Sequence, residues 1–150
     1  MLDRVRKFLE SQLRPEEAGD PENELRLATA ALLVEISRAD THVDAEERRL
    51  IRSALRRLFD LSEQASDELL RQAEREVEQA ASLYQFTRTV DAEFSPARKK
   101  EIVELLWRVG LADGELDKYE EHLVRRIADL LHVSHADFTH ARHKALMKGG

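Results

Sequence analysis

The amino-acid sequence predicts an all-α fold, a compact bundle of seven to eight helices that contains an internal duplicated helical hairpin. Three observations favour it. The 150 residues include only five glycines and three prolines, apolar residues recur at helical spacing almost throughout, and one stretch occurs twice. With 42% hydrophobic and 36% charged residues, the chain is expected to form a single domain, residues 1–150, with a buried core and a charged surface.

The duplicated stretch spans a helix, a turn and the start of the next helix. Residues 32–52 read LLVEISRADTHVDAEERRLIR, and residues 105–125 read LLWRVGLADGELDKYEEHLVR. Aligned on Leu32 and Leu105, the segments share eight residues, including the pattern Ala-Asp-x-x-x-Asp-x-x-Glu. Shared leucines are expected of any two amphipathic helices, whereas shared acids across a turn are not. We therefore predict two repeat halves, at about 25–80 and 96–147.

The individual helices follow from apolar stripes and from start signals. Residues 1–20 are predicted to form an N-terminal helix, which ends before Pro15, and an acidic linker; the helix carries an apolar stripe of Leu2, Val5, Phe8, Leu9 and Leu13. Asp20-Pro21 and Ser95-Pro96 each place a cap before a proline in the first turn, and Ser62 and Ser134 also precede helices. The remaining helices are predicted at about 21–40, 45–59, after Ser62, at 82–93, after Ser95, at 118–131 and after Ser134.

Composition excludes several functional classes. A net charge of −6, from 24 basic and 30 acidic residues, argues against a nucleic-acid partner, which needs a cationic surface. The absence of cysteine excludes disulfides and thiol catalysis. No apolar run approaches the ~20 residues of a membrane span, and no signal peptide is visible, so we expect a cytoplasmic protein. Neither a phosphate-binding glycine loop nor a nucleophile elbow occurs, so we expect no enzymatic activity.

The second acid of each copy has the position of a helix cap. Asp44 and Asp117 directly precede a predicted helix, and Glu47 and Glu120 follow three residues later. This spacing is a variant of the capping box, in which two side chains satisfy otherwise unpaired N–H groups of the first turn. Capping is therefore the favoured role of Asp44 and Asp117, with metal ligation as an additional role.

The first acid of each copy has no such explanation. Asp40 and Asp113 end a helix, where the helix dipole disfavours a carboxylate. We therefore expect a compensating cation, either a basic side chain such as Arg38 or Lys118, or a divalent metal ion. A hairpin turn would bring Glu47 towards Asp40 and Glu120 towards Asp113, and these oxygen ligands suit Ca²⁺, Mg²⁺ or Mn²⁺. The metal site and a purely structural pairing remain equal alternatives.

Two other metal motifs are disfavoured. An EF-hand is excluded because the second copy has Lys118 where the loop needs glycine and Val124 where it needs a bidentate glutamate. Histidines near the C-terminus have spacings that could hold zinc: His132, His135, His140 and His143. No clear carboxylate or fourth ligand accompanies them, so we expect them to be charged side chains at the surface.

The motif Ala-Asp-Gly-Glu-Leu-Asp-x-x-Glu-x-x-Leu at residues 112–123, repeated in a helical chain, resembles the TerB-like family of bacterial tellurite-resistance proteins. It is also similar to the TerB-like domain of membrane-anchored J-domain co-chaperones. The likeness covers roughly residues 25–142. It implies a cytoplasmic accessory protein of the stress or tellurite response that acts through other proteins. The metal-chelating Asp-x6-Glu of that family would correspond to Asp40/Glu47 and Asp113/Glu120; the first copy departs from the pattern with Thr41-His42 where Gly-acidic is usual.

Two alternative functions and one unassigned segment remain. The acids could serve a metal-dependent hydrolase, in which two ions activate water, or they could only cap helices in a metal-free interaction module. The N-terminal stripe is expected to pack on the bundle or on a second copy of the chain, which would give a homodimer, in preference to a membrane surface. Trp107 is expected in the core.

Overall fold

The computed structural model describes residues 21–39, 45–112 and 117–148. These residues form seven helices and no strand, which confirms the all-α prediction: α1 (Pro21–Ala39), α2 (Ala45–Phe59), α3 (Glu63–Gln79), α4 (Tyr84–Glu93), α5 (Pro96–Gly110), α6 (Lys118–Leu130) and α7 (His135–Lys148). The seven helix starts, and the four helix ends that the sequence predicted, lie within two residues of the predicted positions. The helix predicted in residues 1–20 and the cap predicted at Asp20 lie outside the described residues.

Three helices begin at the serines that the sequence indicated. Each hydroxyl accepts a hydrogen bond from the backbone N–H three residues later: Ser62 from Ala65 (3.0 Å), Ser95 from Arg98 (3.2 Å) and Ser134 from Asp137 (3.2 Å). Each bond satisfies one of the N–H groups that a helix start leaves without a helical partner. After Ser95, Pro96 occupies the first turn.

The first helix of each repeat half is buried on all sides. Every residue from Ala28 to Val34 of α1 and from Ile102 to Trp107 of α5 is buried. The two helices contact each other, and their most extensive contacts with other helices are equivalent, α1 with α3 and α5 with α7. The burial is broader than the one apolar stripe of an amphipathic helix, although Leu25 near the start of α1 is only partly buried. A helix enclosed on all sides buries residues well beyond one stripe.

The second helix of each half is amphipathic and lies at the outside. Ile51 and Leu55 of α2 and Val124 and Ile127 of α6 are buried, while the opposite faces carry charge. Buried apolar side chains from all seven helices form one cluster. The cluster includes Trp107, as expected, whose ring centroid lies 5.1 Å from that of Phe138 in α7. The single-domain assignment for residues 1–150 remains a prediction. None of the described helices has the length and apolar character that crossing a membrane would require.

The turns after α2 and α6 share one backbone conformation. Asp60 and His132 both have positive φ, 53° and 63°. In each turn the next residue donates its N–H to a carbonyl five residues back: Leu61 to Arg56 (3.1 Å) and Val133 to Ala128 (2.9 Å). This is the Schellman ending of a helix. The duplication therefore extends from the sequence motif into the backbone geometry of the following turn.

Candidate metal centre

Two buried glutamates occupy equivalent positions in the repeat. Glu47 is the third residue of α2 and Glu120 the third residue of α6, and each is 3% exposed. Both make polar interactions, as expected for glutamates, which are almost never fully buried unless paired. The repeated pattern therefore positions one carboxylate per half beneath the surface, beside the turn between its two helices.

The second copy contains the predicted capping box. Asp117 Oδ1 accepts a hydrogen bond from the backbone N–H of Glu120 (2.7 Å), and Glu120 Oε1 accepts one from the backbone N–H of Asp117 (3.2 Å). Asp117 has the extended backbone of a cap residue (φ −76°, ψ 170°). The box satisfies two N–H groups and places negative charge at the positive end of the helix dipole. It also fixes the orientation of the Glu120 carboxylate.

The other predicted ligands cannot be placed. Asp40, Asp44 and Asp113 lie outside the described residues, so neither the Asp40–Glu47 nor the Asp113–Glu120 pair has a measured separation. Among residues 21–39, 45–112 and 117–148, no three histidine, aspartate or glutamate side chains form a group that could hold a metal ion. Since that search leaves out three of the six predicted acids, the four-ligand metal site stays a prediction.

One buried hydroxyl was not anticipated near the first acidic turn. Ser37, one helical turn before Asp40 in the sequence, is fully buried. Within the described part of the chain its Oγ has no hydrogen-bond partner. The equivalent residue of the second half, Gly110, is buried and carries no hydroxyl. No sequence pattern marks Ser37, because serine mostly lies at the surface and the next residue is the charged Arg38.

The C-terminal histidines all lie at the surface. His132, His135, His140 and His143 are exposed. The Nδ1 atom of His132 lies 3.0 Å from Asp91 Oδ1, and the ring of His135 packs against Phe138 with centroids 6.2 Å apart. Two of the four side chains therefore have structural partners in the bundle.

Asp91 links α4 to two later parts of the chain. Its Oδ1 accepts a hydrogen bond from Lys99 Nζ (2.6 Å) and contacts the His132 ring. The hydrogen bond from Lys99, and next the one from His132, hold the pKa of the Asp91 carboxyl below its usual value. Glu35 of α1 has the opposite shift, since burial raises its pKa and the nearby Arg38 opposes that effect only in part.

Sequence reasoning also missed a buried glutamate on α5. Glu104 is 7% exposed and lies 3.7 Å from Lys144 Nζ of α7. It lines a cavity of about 430 Å³ between α2, α5 and α7. The available signal was its place in the apolar run Ile-Val-Glu-Leu-Leu-Trp, where a helix buried on all sides leaves no polar face for it.

One of three comparisons with known proteins identifies a family. The sequence model of the family described as tellurite resistance protein TerB matches residues 26–143. The matched range begins in the second turn of α1 and ends in α7, so it includes both acidic turns. No curated protein and no solved structure matched the chain in the other two comparisons.

Proposed function

The chain belongs to the TerB family of tellurite resistance proteins, and on that premise we propose that it is a non-catalytic accessory protein of the bacterial tellurite or stress response. It works in the cytoplasm through contacts with other proteins. It binds a divalent cation through Asp40, Glu47, Asp113 and Glu120, with Asp44 and Asp117 as additional ligands.

The observation that carries this proposal is the equal burial of Glu47 and Glu120, each 3% exposed and each at the third position of its helix. Burying a carboxylate is costly unless positive charge or hydrogen-bond donors compensate. A cap alone can be made by an exposed glutamate, because the first-turn N–H groups lie at the helix end. Both glutamates also make polar interactions within the protein, so it is the recurrence of a buried carboxylate at the same position in both halves that favours a role beyond capping. We assign that role to cation binding.

The capping box is compatible with metal binding. Hydrogen bonds from the surrounding protein commonly orient carboxylate ligands and tune their affinity. The backbone N–H of Asp117 donates a hydrogen bond to Glu120 Oε1, and we assign Oε2 to the cation. A set of hard carboxylate oxygens selects Ca²⁺, Mg²⁺ or Mn²⁺ over softer ions.

A metal-free interaction module is the second candidate, and the same capping box favours it. Asp117 and Glu120 complete each other's hydrogen bonds at 2.7 and 3.2 Å without a cation. A metal-dependent hydrolase would need a bound water and a substrate cavity beside the acids. No observation in the described residues favours that activity.

Calorimetric titration of the chelator-treated full chain with Ca²⁺, Mg²⁺, Mn²⁺ and Zn²⁺ tests the proposal. We expect heat and a rise in melting temperature with at least one of the first three ions. Asp40→Asn and Asp113→Asn should each weaken that binding by about tenfold or more. The control Asp129→Asn, an exposed acid on α6 outside the motif, should leave it unchanged.

Three results would contradict the proposal. If no ion gives heat or a thermal shift, the metal-free module replaces it. If binding persists in the Asp40→Asn/Asp113→Asn double variant, the cation lies elsewhere. Metal-dependent turnover of a phosphoester panel, lost in the same double variant, would identify a hydrolase instead.

A further inference from the structure

The groove between α2, α5 and α7 has the volume of a small-molecule site and lies on residues that the proposed cation site does not use. It is the cavity of about 430 Å³ that Glu104 lines, which is within the range of ligand-binding clefts. Small side chains from all three helices line it: Ser53 and Ala54 of α2, Ala97 of α5 and Ala141 of α7. Side chains of this size leave space between helices that larger ones would fill.

Both ends of the groove carry cationic side chains. Phe59, at the end of α2, stacks on Phe94, just before α5, with ring centroids 6.4 Å apart. The end of α2 therefore lies beside the start of α5, and Arg57 and Lys100 line this end of the groove. Arg108 also lines the groove, two turns further along α5 and about 12 Å beyond the level of Lys100. The cations are therefore separated along the groove, with one group at each end.

Each end also has a lysine whose ion pair is longer than a hydrogen bond. Lys100 Nζ lies 3.6 Å from Asp137 Oδ2, and Lys144 Nζ lies 3.7 Å from Glu104 Oε1. Glu104 is one helical turn before Arg108, so Lys144 belongs to the Arg108 end of the groove. Separations above about 3.5 Å are too long for a hydrogen bond. An anion in the groove can therefore accept hydrogen bonds from both ammonium groups without taking them from these carboxylates.

The two arginines add the groups best suited to hold an anion. Within the residues that the structure describes, neither Arg57 nor Arg108 has an ion-pair partner. A planar guanidinium group donates paired hydrogen bonds to carboxylates and phosphates. Arg108 is also partly buried, and salt screens a partly buried charge pair less than an exposed one. An anionic group at each end of the groove would therefore find an arginine and a lysine.

The repeat provides a second cleft for comparison, between α1, α3 and α6. Its lining includes the repeat equivalents of three groove residues: Leu123 for Leu50, Arg126 for Ser53 and Glu35 for Arg108. Glu35 is partly buried, as Arg108 is, so this position of the repeat accepts a carboxylate as well as a guanidinium group. Helix packing therefore does not require the cation at Arg108, which favours a role in binding.

We propose that the groove between α2, α5 and α7 binds a small elongated organic molecule that carries an anionic group, a carboxylate or a phosphate, at each end. One anionic group lies between Arg57 and Lys100, and the other lies between Arg108 and Lys144. The middle of the molecule occupies the space beside the small side chains. This site is independent of the cation site, because it uses neither acidic turn.

Calorimetric titration of the metal-stripped and dialysed full chain with three matched probes tests the proposal. Suberate has a carboxylate at each end, and hexanediol bisphosphate has a phosphate at each end of an equally long hydrocarbon chain. Octanoate has the chain length of suberate but only one carboxylate. We expect at least one of the two dianions to bind about tenfold more tightly than octanoate or better, because its second anionic group binds without a further loss of translational freedom. The dianion that binds more tightly identifies the anionic group as carboxylate or phosphate.

Substitutions of the arginines locate the bound dianion. Arg57→Gln and Arg108→Gln should each weaken its binding by about tenfold or more, since each removes charge-assisted hydrogen bonds. Arg126→Gln, in the second cleft, is the matched control and should leave the affinity unchanged. The Asp40→Asn/Asp113→Asn double variant should also bind as the parent chain does, which separates this site from the cation site. Circular dichroism checks that each variant keeps the helical fold.

The proposal fails on any of three results. If neither dianion gives heat at millimolar concentration, the groove is not a site for such molecules. If octanoate binds as tightly as both dianions, the groove does not recognise a second anionic group. If Arg57→Gln and Arg108→Gln bind the dianion as the parent chain does, or if Arg126→Gln loses as much affinity as they do, the dianion binds elsewhere.

Discussion

The two repeat halves use the same core plan but hold their outer helices differently. In both, the first helix is enclosed by the bundle and the third residue of the second helix is a buried glutamate, Glu47 or Glu120. Arg52 of α2 and Arg125 of α6 are equivalent arginines with different partners. Arg52 lies 3.5 Å from Asp67 of α3, whereas Arg125 lies over the ring of Phe138 in α7, at 5.7 Å.

A second ion pair strengthens the contrast. Arg48 of α2 donates two hydrogen bonds to Glu74 of α3, at 3.0 and 2.9 Å. The residue equivalent to Arg48 in the second half is Glu121, which cannot donate such bonds. The enclosed first helix and the buried glutamate are therefore common to both halves, while the surface contacts of the outer helices differ. Close packing restricts the volume and shape of a core residue. An outer helix, in contrast, can be attached to the bundle either by ion pairs or by contacts between a cation and an aromatic ring.

The largest expected effect tests whether the halves share one core. Leu33 and Leu106 are repeat equivalents, and both are fully buried. Leu33→Ala and Leu106→Ala should each lower the free energy of unfolding by about 2–5 kcal/mol, since each removes buried methyl groups and leaves a cavity. Urea unfolding followed by circular dichroism measures the loss. The control is His122→Ala, because His122 is exposed. Two separate transitions in either variant would show that the halves unfold independently.

An intermediate effect tests whether the acidic turns are equivalent. Asp117→Ala removes the acceptor of the 2.7 Å bond from the Glu120 N–H, which should lower stability by about 0.5–2 kcal/mol. If the first copy forms the same capping box, Asp44→Ala should cost a similar amount. Thermal or urea unfolding in the presence of a chelator separates this effect from metal binding. A neutral Asp44→Ala would show that only the second copy is capped in this way.

The helix starts could be predicted from the sequence because local chemistry determines them. Ser62, Ser95 and Ser134 bond to N–H groups three residues away, so a short stretch of sequence contains both partners. The burial of α1 on all sides could not be predicted from a short stretch of sequence, because it depends on helices that are distant in the sequence. The burial of Glu104 has the same origin, since its partner Lys144 is forty positions later.

The candidate site was predictable only in part for a related physical reason. The capping role of Asp117 follows from a spacing of three residues, and the structure confirms it. The burial of Glu47 and Glu120 does not follow from that spacing, because exposed glutamates cap helices equally well. Only the recurrence of the motif indicated that these acids have more than a local role. The convergence of Asp40 and Asp113 on them is still a prediction.

The smallest expected change in the free energy of unfolding comes from substitutions in the turns after α2 and α6. Asp60 and His132 both have positive φ, a conformation that costs a residue with a Cβ atom roughly 1 kcal/mol. Asp60→Gly should therefore raise the free energy of unfolding by about 0.5 kcal/mol, after the entropy that glycine adds to the unfolded chain is subtracted. His132→Gly should gain less, because it also loses the contact with Asp91 (3.0 Å), a surface interaction of about 0.2–1 kcal/mol.

The loss of stability at low pH distinguishes the Asp60→Gly variant from the His132→Gly variant. Hydrogen bonds from Lys99 and then His132 hold the pKa of Asp91 below its usual value. Such a group stabilises the fold above its unfolded pKa, about 3.9 for aspartate, and that contribution is lost as the pH falls through the lower folded pKa. Without the His132 bond the Asp91 pKa rises towards its ordinary value, so His132→Gly should lose less stability than the parent chain below about pH 4. Asp60→Gly should keep the parent dependence, because Asp60 is not a partner of Asp91. Urea midpoints between pH 2 and 7 measure both curves, and parallel acid limbs in the two variants would mean that Lys99 alone sets the pKa of Asp91.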